Sequence, residues 1–220
     1  IERLYKMGGP NKKEAIAALH RQTILDAAEQ VFYEKGFYAT TIEDLSKASS
    51  YSRRTIYTYF ENKEDILYNI VLKGLTSLNQ DLTDVLNIEG DFLTKYYAIC
   101  KAMTTYYQTY PYSFDSVNTM KNSDINLSEI PPTLMQIFAS GTETNQLLEN
   151  FLKQGQEDGI IQKNVNPQQA VYILWANLSS LITLTHNKGE FISSELNITV
   201  EQFLQNGFTQ IINSILEVRL

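Results

Sequence analysis

TIEDLSKASSYSRRTIYTYF, at residues 41–60, indicates two short helices joined by a tight turn. The first helix begins after Thr41 and the second after Ser52. Both residue types cap helix amino termini, because their side chains accept a hydrogen bond from a free backbone N–H group. Ser49 and Ser50 supply small residues for the turn. Two capped helices in this order, behind a longer one, are typical of a helix-turn-helix unit.

The longer helix precedes Gly36. Its apolar residues recur at positions i, i+3, i+4, i+7 and i+8, which places them on one helix face. They are Ile24, Ala27, Ala28, Val31 and Phe32. Because Gly is a common residue at helix carboxyl termini, we expect this helix to end at Gly36.

Arg53 and Arg54 lie in the first turn of the third helix. The helix dipole disfavours cations there, at a cost of roughly 0.3–1 kcal/mol each at an exposed site. The second helix instead begins with Glu43 and Asp44, as the dipole favours. The two cations are explained if an anion normally binds at that helix start, and a nucleic-acid phosphate meets this need. The alternative is that the arginines are a solvated pair.

The rest of the chain has a helical pattern almost throughout, with no alternating strand pattern bounded by hairpin turns. A long fourth helix follows Asn62. The later helices are expected near 91–109, 115–122, 132–156, 167–186 and 199–218, with breaks at Pro111, Pro131–Pro132, Gly159 and around Gly189. The sequence therefore predicts an all-α protein. We expect a flexible or non-native start at 1–11, a helix-turn-helix domain at 12–68, and a larger helical domain at 69–220.

The net charge of −7 is distributed unevenly. Residues 1–70 hold ten basic and ten acidic side chains, so the whole deficit lies in the remainder of the chain. This division permits DNA binding by the amino-terminal part. A single cysteine, Cys100, excludes an intramolecular disulfide and is expected to be buried and reduced. Without an apolar signal or a membrane-length apolar run, we expect a cytoplasmic protein with no membrane partner.

Catalytic motifs are missing from the sequence. His20 and His186 lie far apart, no cluster has metal-ligand spacing, and there is no phosphate-binding Gly loop or nucleophile elbow. We therefore expect no catalytic residue, no metal and no cofactor. A helical enzyme and a helical ligand-binding or adaptor protein without DNA binding are the two alternatives.

These segments resemble the DNA-binding signature of the tetracycline-repressor (TetR) family over residues from about 20 to 70. The family pattern is a helix ending in a Phe and a Gly, a Thr cap, a small-residue turn, a Leu/Ile-Tyr-x-x-Phe helix and a Lys-Glu pair. The matching residues are Phe32, Gly36, Thr41, Ser49-Ser50, Ile56, Tyr57, Phe60, Lys63 and Glu64. Ser50 and Tyr51 depart from it, since Gly and an aliphatic residue are common there. A left-handed Ser50 would cost about 1 kcal/mol.

The resemblance implies double-stranded operator DNA as a partner. Thr41 would hold a phosphate at its helix cap, and Lys63 would clamp a flanking phosphate. The third helix would enter the major groove with phosphate and base contacts from Ser52, Arg53, Arg54 and Thr55, backbone contacts from Tyr57 and Tyr59, and base contacts from Thr58. The predicted function is a sequence-specific transcriptional regulator, a repressor released from a palindromic operator by a small-molecule effector.

The resemblance also implies that the acidic part binds the effector and dimerises. Its middle is rich in aromatic residues and methionines, which line adaptable apolar pockets. We expect an apolar or aromatic effector, with candidate contacts Tyr96, Met103, Tyr107, Phe114, Met135, Phe138 and Trp175. A two-fold operator needs a homodimer, for which helices near 133–156 and 167–186 are the interface candidates. The alternative for each of these residues is ordinary core packing.

Overall fold

A computed structural model describes residues 10–120 and 130–218, with side chains from residue 12 onward. Within these ranges the chain forms nine helices. They are α1 (Pro10–Lys35), α2 (Ile42–Ser49), α3 (Arg53–Tyr59), α4 (Lys63–Leu86), α5 (Phe92–Thr109), α6 (Pro111–Thr119), α7 (Pro132–Glu157), α8 (Pro167–Leu196) and α9 (Val200–Asn213). The predicted all-α class is confirmed. Of the predicted start at 1–11, residues 1–9 lie outside the described ranges.

The three amino-terminal helices and the first turns of α4 enclose one apolar core. Phe32 of α1, Leu45 of α2, Ile56 of α3 and Ile66 of α4 have no exposed surface. Each such side chain contributes about 1.5–3 kcal/mol when it is fully buried. Helices as short as α2 and α3 are marginal in isolation, so this shared core is what stabilises them.

The caps of α2 set the geometry of the turn. Thr41 and Asp44 form a capping box, in which the Thr41 hydroxyl accepts from the Asp44 N–H and the Asp44 carboxylate accepts from the Thr41 N–H. At the other end Ser50 has φ 60° and ψ 18°, so the turn residue is left-handed, the conformation in which a serine costs about 1 kcal/mol. The Ser46 hydroxyl donates to the Tyr51 carbonyl at 2.7 Å and bridges the turn. The start of α3 is therefore held by side chains on both sides of the turn.

Helix α4 belongs to both parts of the molecule. Its 24 residues span about 36 Å. Ile66 and Ile70 lie in the amino-terminal core. Leu78 and Leu82 lie in the core of the second unit, which α4 forms with α5 to α9. Because its apolar face is buried at both ends, a displacement of α4 moves both cores.

A buried polar network joins α4 to α7. The Asn79 side chain, only 5% exposed, donates to the Ser140 carbonyl at 2.9 Å and accepts from the Thr144 hydroxyl at 2.5 Å. Leaving such a group unpaired would cost about 1–3 kcal/mol. The network therefore fixes the register of α4 against α7.

Three predicted helix limits are wrong in the later part of the chain, and the first two concern Pro111 and Gly189. Helix α6 begins at Pro111, where a break was expected, because proline fits the first helical turn without losing a hydrogen bond. Helix α8 continues through Gly189 to Leu196. A Cβ atom on Gly189 would lie 3.1 Å from Val200 Cγ1, so this glycine provides room for α9 rather than a helix end.

Helix α9 also ends earlier than predicted, at Asn213 instead of 218. The chain after it turns back, and Leu216 forms an isolated antiparallel bridge with Ile161. Backbone hydrogen bonds to a distant segment thus replace the last helical turn. In the two described ranges, no helix has the length and apolar character needed to cross a membrane.

Candidate DNA-binding surface and effector pocket

Helix α3 has one buried face and one exposed face. Ile56 is fully buried and Phe60, which follows the helix, is 2% exposed, so their side chains fix the helix on the core. The exposed face of α3 consists of Arg53, Arg54, Tyr57 and Thr58. Four of the predicted DNA contacts are thus presented together by a seven-residue helix.

The start of α3 combines a satisfied cap with free positive charge. The Ser52 hydroxyl accepts from the Thr55 N–H at 3.1 Å, and its oxygen lies 2.8 Å from Thr55 Oγ1. Arg53 Nε lies 3.5 Å from Glu43 Oε2 in an exposed pair, a geometry that contributes about 0–1 kcal/mol. Arg54 makes no ion pair within the described residues. Its guanidinium is available to an external anion.

Thr41 lies at the start of α2, where its hydroxyl donates to the Asp44 carboxylate at 2.7 Å. The Lys35 ammonium donates to the same carboxylate at 2.6 Å. These hydrogen bonds, first from Lys35 and then from Thr41, hold the pKa of Asp44 well below its ordinary value. Thr41 is exposed, but its hydroxyl hydrogen is already used inside the protein.

Two predicted contacts are turned toward the protein. The Tyr59 hydroxyl lies 2.9 Å from His20 Nδ1 of α1. The Lys63 ammonium donates to the carbonyl oxygens of Phe37 at 2.7 Å and Thr40 at 2.9 Å, and lies 4.3 Å from the centre of the Phe37 ring. Both side chains therefore connect α3 or α4 to the segment around α1.

Three of the predicted effector contacts share a cavity in the second unit. Tyr96, Met103 and Trp175 line a space of about 20 Å³ among α5, α7 and α8, which we call the core cavity. Its volume is close to that of one water molecule. The Tyr96 hydroxyl donates to the Phe208 carbonyl at 2.8 Å, and burial raises the pKa of this phenol. The cavity is thus apolar, with its one phenol already paired.

The other four predicted contacts lie elsewhere. Tyr107 and Phe114 pack against each other at 5.0 Å in the same core, beside the cavity rather than in its lining. Phe138 packs in a separate cluster with Val71 and Leu75. Met135 is 59% exposed, because it lies on the outward face of α7. The seven residues grouped by composition therefore lie in four places: the core cavity, the core beside it, the separate cluster and the outward face of α7.

Cys100 is buried as predicted. Burial raises the pKa of its thiol to about 12, so the thiol stays protonated at neutral pH. A protonated thiol is a poor nucleophile and a poor metal ligand. Within the described ranges, no three His, Cys, Asp or Glu side chains are grouped to hold a metal ion.

Comparison with known proteins matches residues 24–70 to the model of the bacterial regulatory proteins of the tetR family. These residues run from the buried face of α1 through α2 and α3 into the first turns of α4. The chain is also 26% identical over 191 residues to the HTH-type transcriptional regulator HbdR of Aromatoleum sp. (strain CIB), covering 84% of this chain and 80% of that protein.

Residues 24–70 of this chain are a DNA-binding segment of the TetR family. The chain is a DNA-binding transcriptional regulator.

Solved structures agree with the TetR fold. FadR of Bacillus subtilis, determined in complex with stearoyl-CoA, superposes with a TM-score of 0.66 at 16% identity and covers 86% of this chain and 96% of FadR. AibR, determined with isovaleryl coenzyme A and operator DNA, superposes with a TM-score of 0.64 at 16% identity and covers 87% of this chain and 97% of AibR. HbdR is named as a regulator of transcription, not as an enzyme.

Two features of this TetR-family unit were missed by sequence reasoning. Arg21 of α1 donates to the Tyr59 carbonyl at 2.5 Å and to Asn69 Oδ1 at 3.1 Å, and so ties α1 to α3 and α4. Tyr38, in the turn before α2, is 96% exposed. The partners of Arg21 lie 38 and 48 residues away in sequence, so no local pattern could identify them.

Helix α8 carries exposed apolar side chains. Ile173, Leu184 and Phe191 are 59%, 40% and 66% exposed. Their separations of eleven and seven residues are close to three and two helical turns, so they form one stripe. Beside Ile173, a surface depression of about 760 Å³ runs between α8 and α9. The described part of the chain leaves this apolar stripe uncovered.

Proposed function

We propose that this TetR-family protein is a repressor that binds a palindromic operator as a homodimer and leaves it when a small apolar effector binds. The observation that carries the DNA part is the start of α3. There, an exposed Arg54 that forms no ion pair with any described residue lies at a helix amino terminus, where free N–H groups also attract anions. The inward anchoring by Ile56 and Phe60 lets α3 enter a major groove as a rigid unit.

The contacts divide by exposure. Ser52, Arg53, Arg54, Thr55, Tyr57 and Thr58 are the proposed phosphate and base contacts, with Thr41 at the edge of the same surface. Tyr59 and Lys63 keep a proposed place in DNA binding through the geometry they maintain, because their polar atoms already bind His20, Phe37 and Thr40. The domain limits at 12–68 and 69–220 are proposed with α4 crossing between them.

A homodimer is proposed through the stripe of Ile173, Leu184 and Phe191 on α8. Large apolar side chains left in water on one helix face mark an interaction surface. A palindromic site requires a two-fold dimer that presents both copies of α3 to the DNA. Size-exclusion chromatography with light scattering tests it, because Phe191→Glu should give monomers while Lys153→Glu on exposed α7 should not.

The effector is proposed to be elongated and largely apolar. The core cavity is lined by apolar side chains, and the solved relatives FadR and AibR carry acyl-coenzyme A ligands. Operator release measured with fatty acids and acyl-coenzyme A esters of increasing chain length tests this class. If none of them changes operator affinity, the effector part of the proposal fails.

Selection from a genomic-fragment library, followed by a salt titration, tests DNA binding itself. A repressor with several phosphate contacts should lose affinity linearly on a logarithmic salt scale, with a slope of about −0.9 for each contact. Binding without salt dependence, or without sequence preference, would contradict the proposed function. A helical adaptor without DNA binding would recover no fragment.

A further inference from the structure

A groove of about 520 Å³ opens at the end of the second unit farthest along α4 from the DNA-binding helices. It lies between the α4–α5 connection and the carboxyl-terminal half of α7, and we call it the distal groove. Its apolar walls are Leu86, Phe92, Leu147, Phe151 and Ile160. Ligand pockets in proteins commonly measure about 300–1,000 Å³. The distal groove has that size, whereas the core cavity of about 20 Å³ is too small to hold an effector unless it is joined to the groove.

Phe151 separates the two spaces. It is the one side chain that lines both the distal groove and the core cavity. Its ring stacks on Phe92 with the centroids 4.3 Å apart and the planes inclined by 5°. Displacing this half-buried ring would join the groove to the cavity.

Phe92 is held more firmly than Phe151. It is 8% exposed, and its ring lies against the backbone of α7 at Gly155. A Cβ atom on Gly155 would lie 2.6 Å from Phe92 Cε2, so only glycine leaves this space. Of the stacked pair, Phe151 is therefore the ring that can move without breaking the contact between α5 and α7.

Hydrogen-bond donors lie at the rim of the distal groove. The Lys95 ammonium gives one hydrogen bond to the Leu86 carbonyl at 2.8 Å and has three N–H groups. The Asn150 amide accepts from Gln146 through Oδ1, and this residue, whose NH₂ group is a donor, lines the groove.

The two acidic side chains of the rim are already paired. Asp91 accepts from the Thr94 N–H at 2.8 Å as the cap of α5, and Asp158 accepts from Gln154 at 3.0 Å. Lys95 and Asn150 supply N–H donors at the rim, and such donors suit an oxygen acceptor.

We propose that the distal groove is the entry and binding site for an elongated apolar molecule that ends in a carboxylate or ester oxygen, and that Phe151 is its gate. The apolar end displaces the Phe151 ring and reaches the core cavity. The terminal oxygen accepts hydrogen bonds from Lys95 and Asn150. This inference rests on the proposed function, because it assigns a route and a chemical class to the effector.

Trp175 makes the route measurable. It is the single tryptophan of the chain and it lines the core cavity. cis-Parinaric acid, a fluorescent polyene fatty acid, accepts excitation energy from a nearby indole. Binding through the gate should therefore produce energy transfer from Trp175 in stopped-flow fluorescence. Phe151→Ala should raise the association rate constant about tenfold, because no ring has to move.

Phe151→Leu provides a second variant that keeps more of the core packing, and it should change the association rate in the same direction. Phe138→Ala is the matched control, since Phe138 lies in a different cluster, and it should leave the association rate unchanged. Thermal melting of each variant verifies that it is folded. An unchanged association rate in both Phe151 variants, or no energy transfer in the wild type, overturns the proposal.

The head group is tested at Lys95. Lys95→Met should weaken parinarate binding about tenfold, since a hydrogen bond to a charged group is lost. The same variant should weaken binding of the methyl ester by a smaller factor, because the ester oxygen is uncharged. If the methyl ester instead loses more affinity than parinarate, the natural ligand ends in an ester oxygen. Lys153→Met, an exposed lysine elsewhere on α7, should change neither. Equal affinities in the Lys95 and Lys153 variants overturn the assigned head group.

Operator release is measured in the same samples. If parinarate binds with the expected dependence on Phe151 but the protein stays on the operator, the site in the distal groove is supported and the effector part of the proposed function is contradicted. If a molecule releases the operator but its association rate constant is the same in the wild type and in both Phe151 variants, the proposed function is supported and the role of Phe151 as a gate is overturned.

Discussion

The Lys63 ammonium lies 2.7 Å from the carbonyl oxygen of Phe37, so the first residue of α4 holds the turn that follows α1. A second hydrogen bond, to the Thr40 carbonyl, and the Phe37 ring complete the environment of this cation. The family resemblance implies a phosphate clamp at this position. The geometry instead gives Lys63 a structural task, and the two roles differ in what they predict.

Lys63→Met should lower the free energy of unfolding by about 1.5–3 kcal/mol, because hydrogen bonds from a charged donor to two carbonyl groups are lost. Urea unfolding measures this change. The salt slope of operator binding should stay the same, since no phosphate contact disappears. A slope reduced by about 1 at unchanged stability would restore the phosphate clamp.

Arg54→Ala should weaken operator binding by about 1–3 kcal/mol and leave the unfolding free energy nearly unchanged. The reason is that Arg54 is exposed and makes no ion pair within the described residues. Fluorescence anisotropy with labelled operator DNA measures the affinity. Glu14→Ala, an exposed change on α1, is the control. An Arg54 variant that binds like the wild type would remove this residue from the DNA contacts.

Ser50→Gly should stabilise the protein by about 1 kcal/mol, because Ser50 has φ 60° and glycine adopts this conformation without a steric cost. Ser52→Ala, two residues later, should destabilise it by about 1 kcal/mol through loss of the cap on the Thr55 N–H. Thermal and urea unfolding of the two variants give the comparison. Changes of the same sign would contradict the geometry of this turn.

Gly74→Ala and Gly141→Ala should have opposite effects, although both replace a glycine inside a helix. A Cβ atom on Gly74 would lie 2.4 Å from Ser113 Oγ, so overpacking should cost about 1–3 kcal/mol. A Cβ atom on Gly141 meets nothing within 4 Å, so the helix propensity of alanine should stabilise α7 by about 0.5–1 kcal/mol. Urea unfolding tests the pair, and a stabilising Gly74 variant would disprove the close packing of α4 on α6.

Acid should lower the free energy of unfolding more in the wild type than in the Asp44→Asn variant. The folded-state pKa of Asp44 is lowered from its ordinary 3.8, so its stabilising effect is complete above that value and is lost as the pH falls toward the lowered one. Unfolding measured at pH 7 and at pH 3 should therefore show a larger loss for the wild type. Equal losses in the two proteins would mean that the hydrogen bonds from Lys35 and Thr41 do not persist in solution.

Local chemistry made the DNA-binding unit readable from the sequence. The Thr41 and Ser52 caps, the apolar pair Ile56 and Phe60, and the left-handed Ser50 each depend on residues within about four positions, which is the reach of helical hydrogen bonds and caps. Their expected geometry is found in the structure. Arg53 and Arg54 place two cations in the first turn of α3, where the helix dipole favours anions. This feature also depends only on neighbouring residues along the chain.

The tertiary structure decided what depends on partners far apart in sequence. Lys63 was expected to face DNA, yet its nearest acceptor is 26 residues away, across the turn after α1. Gly189 was expected to end a helix, yet it gives Val200 room. Met135 and Phe138 were grouped with Trp175 by composition, and packing separated them. The helices of the amino-terminal unit and their caps could be predicted from the sequence, because they follow from short-range forces. Which side chains meet, and which space Phe151 closes, follow only from how the helices pack.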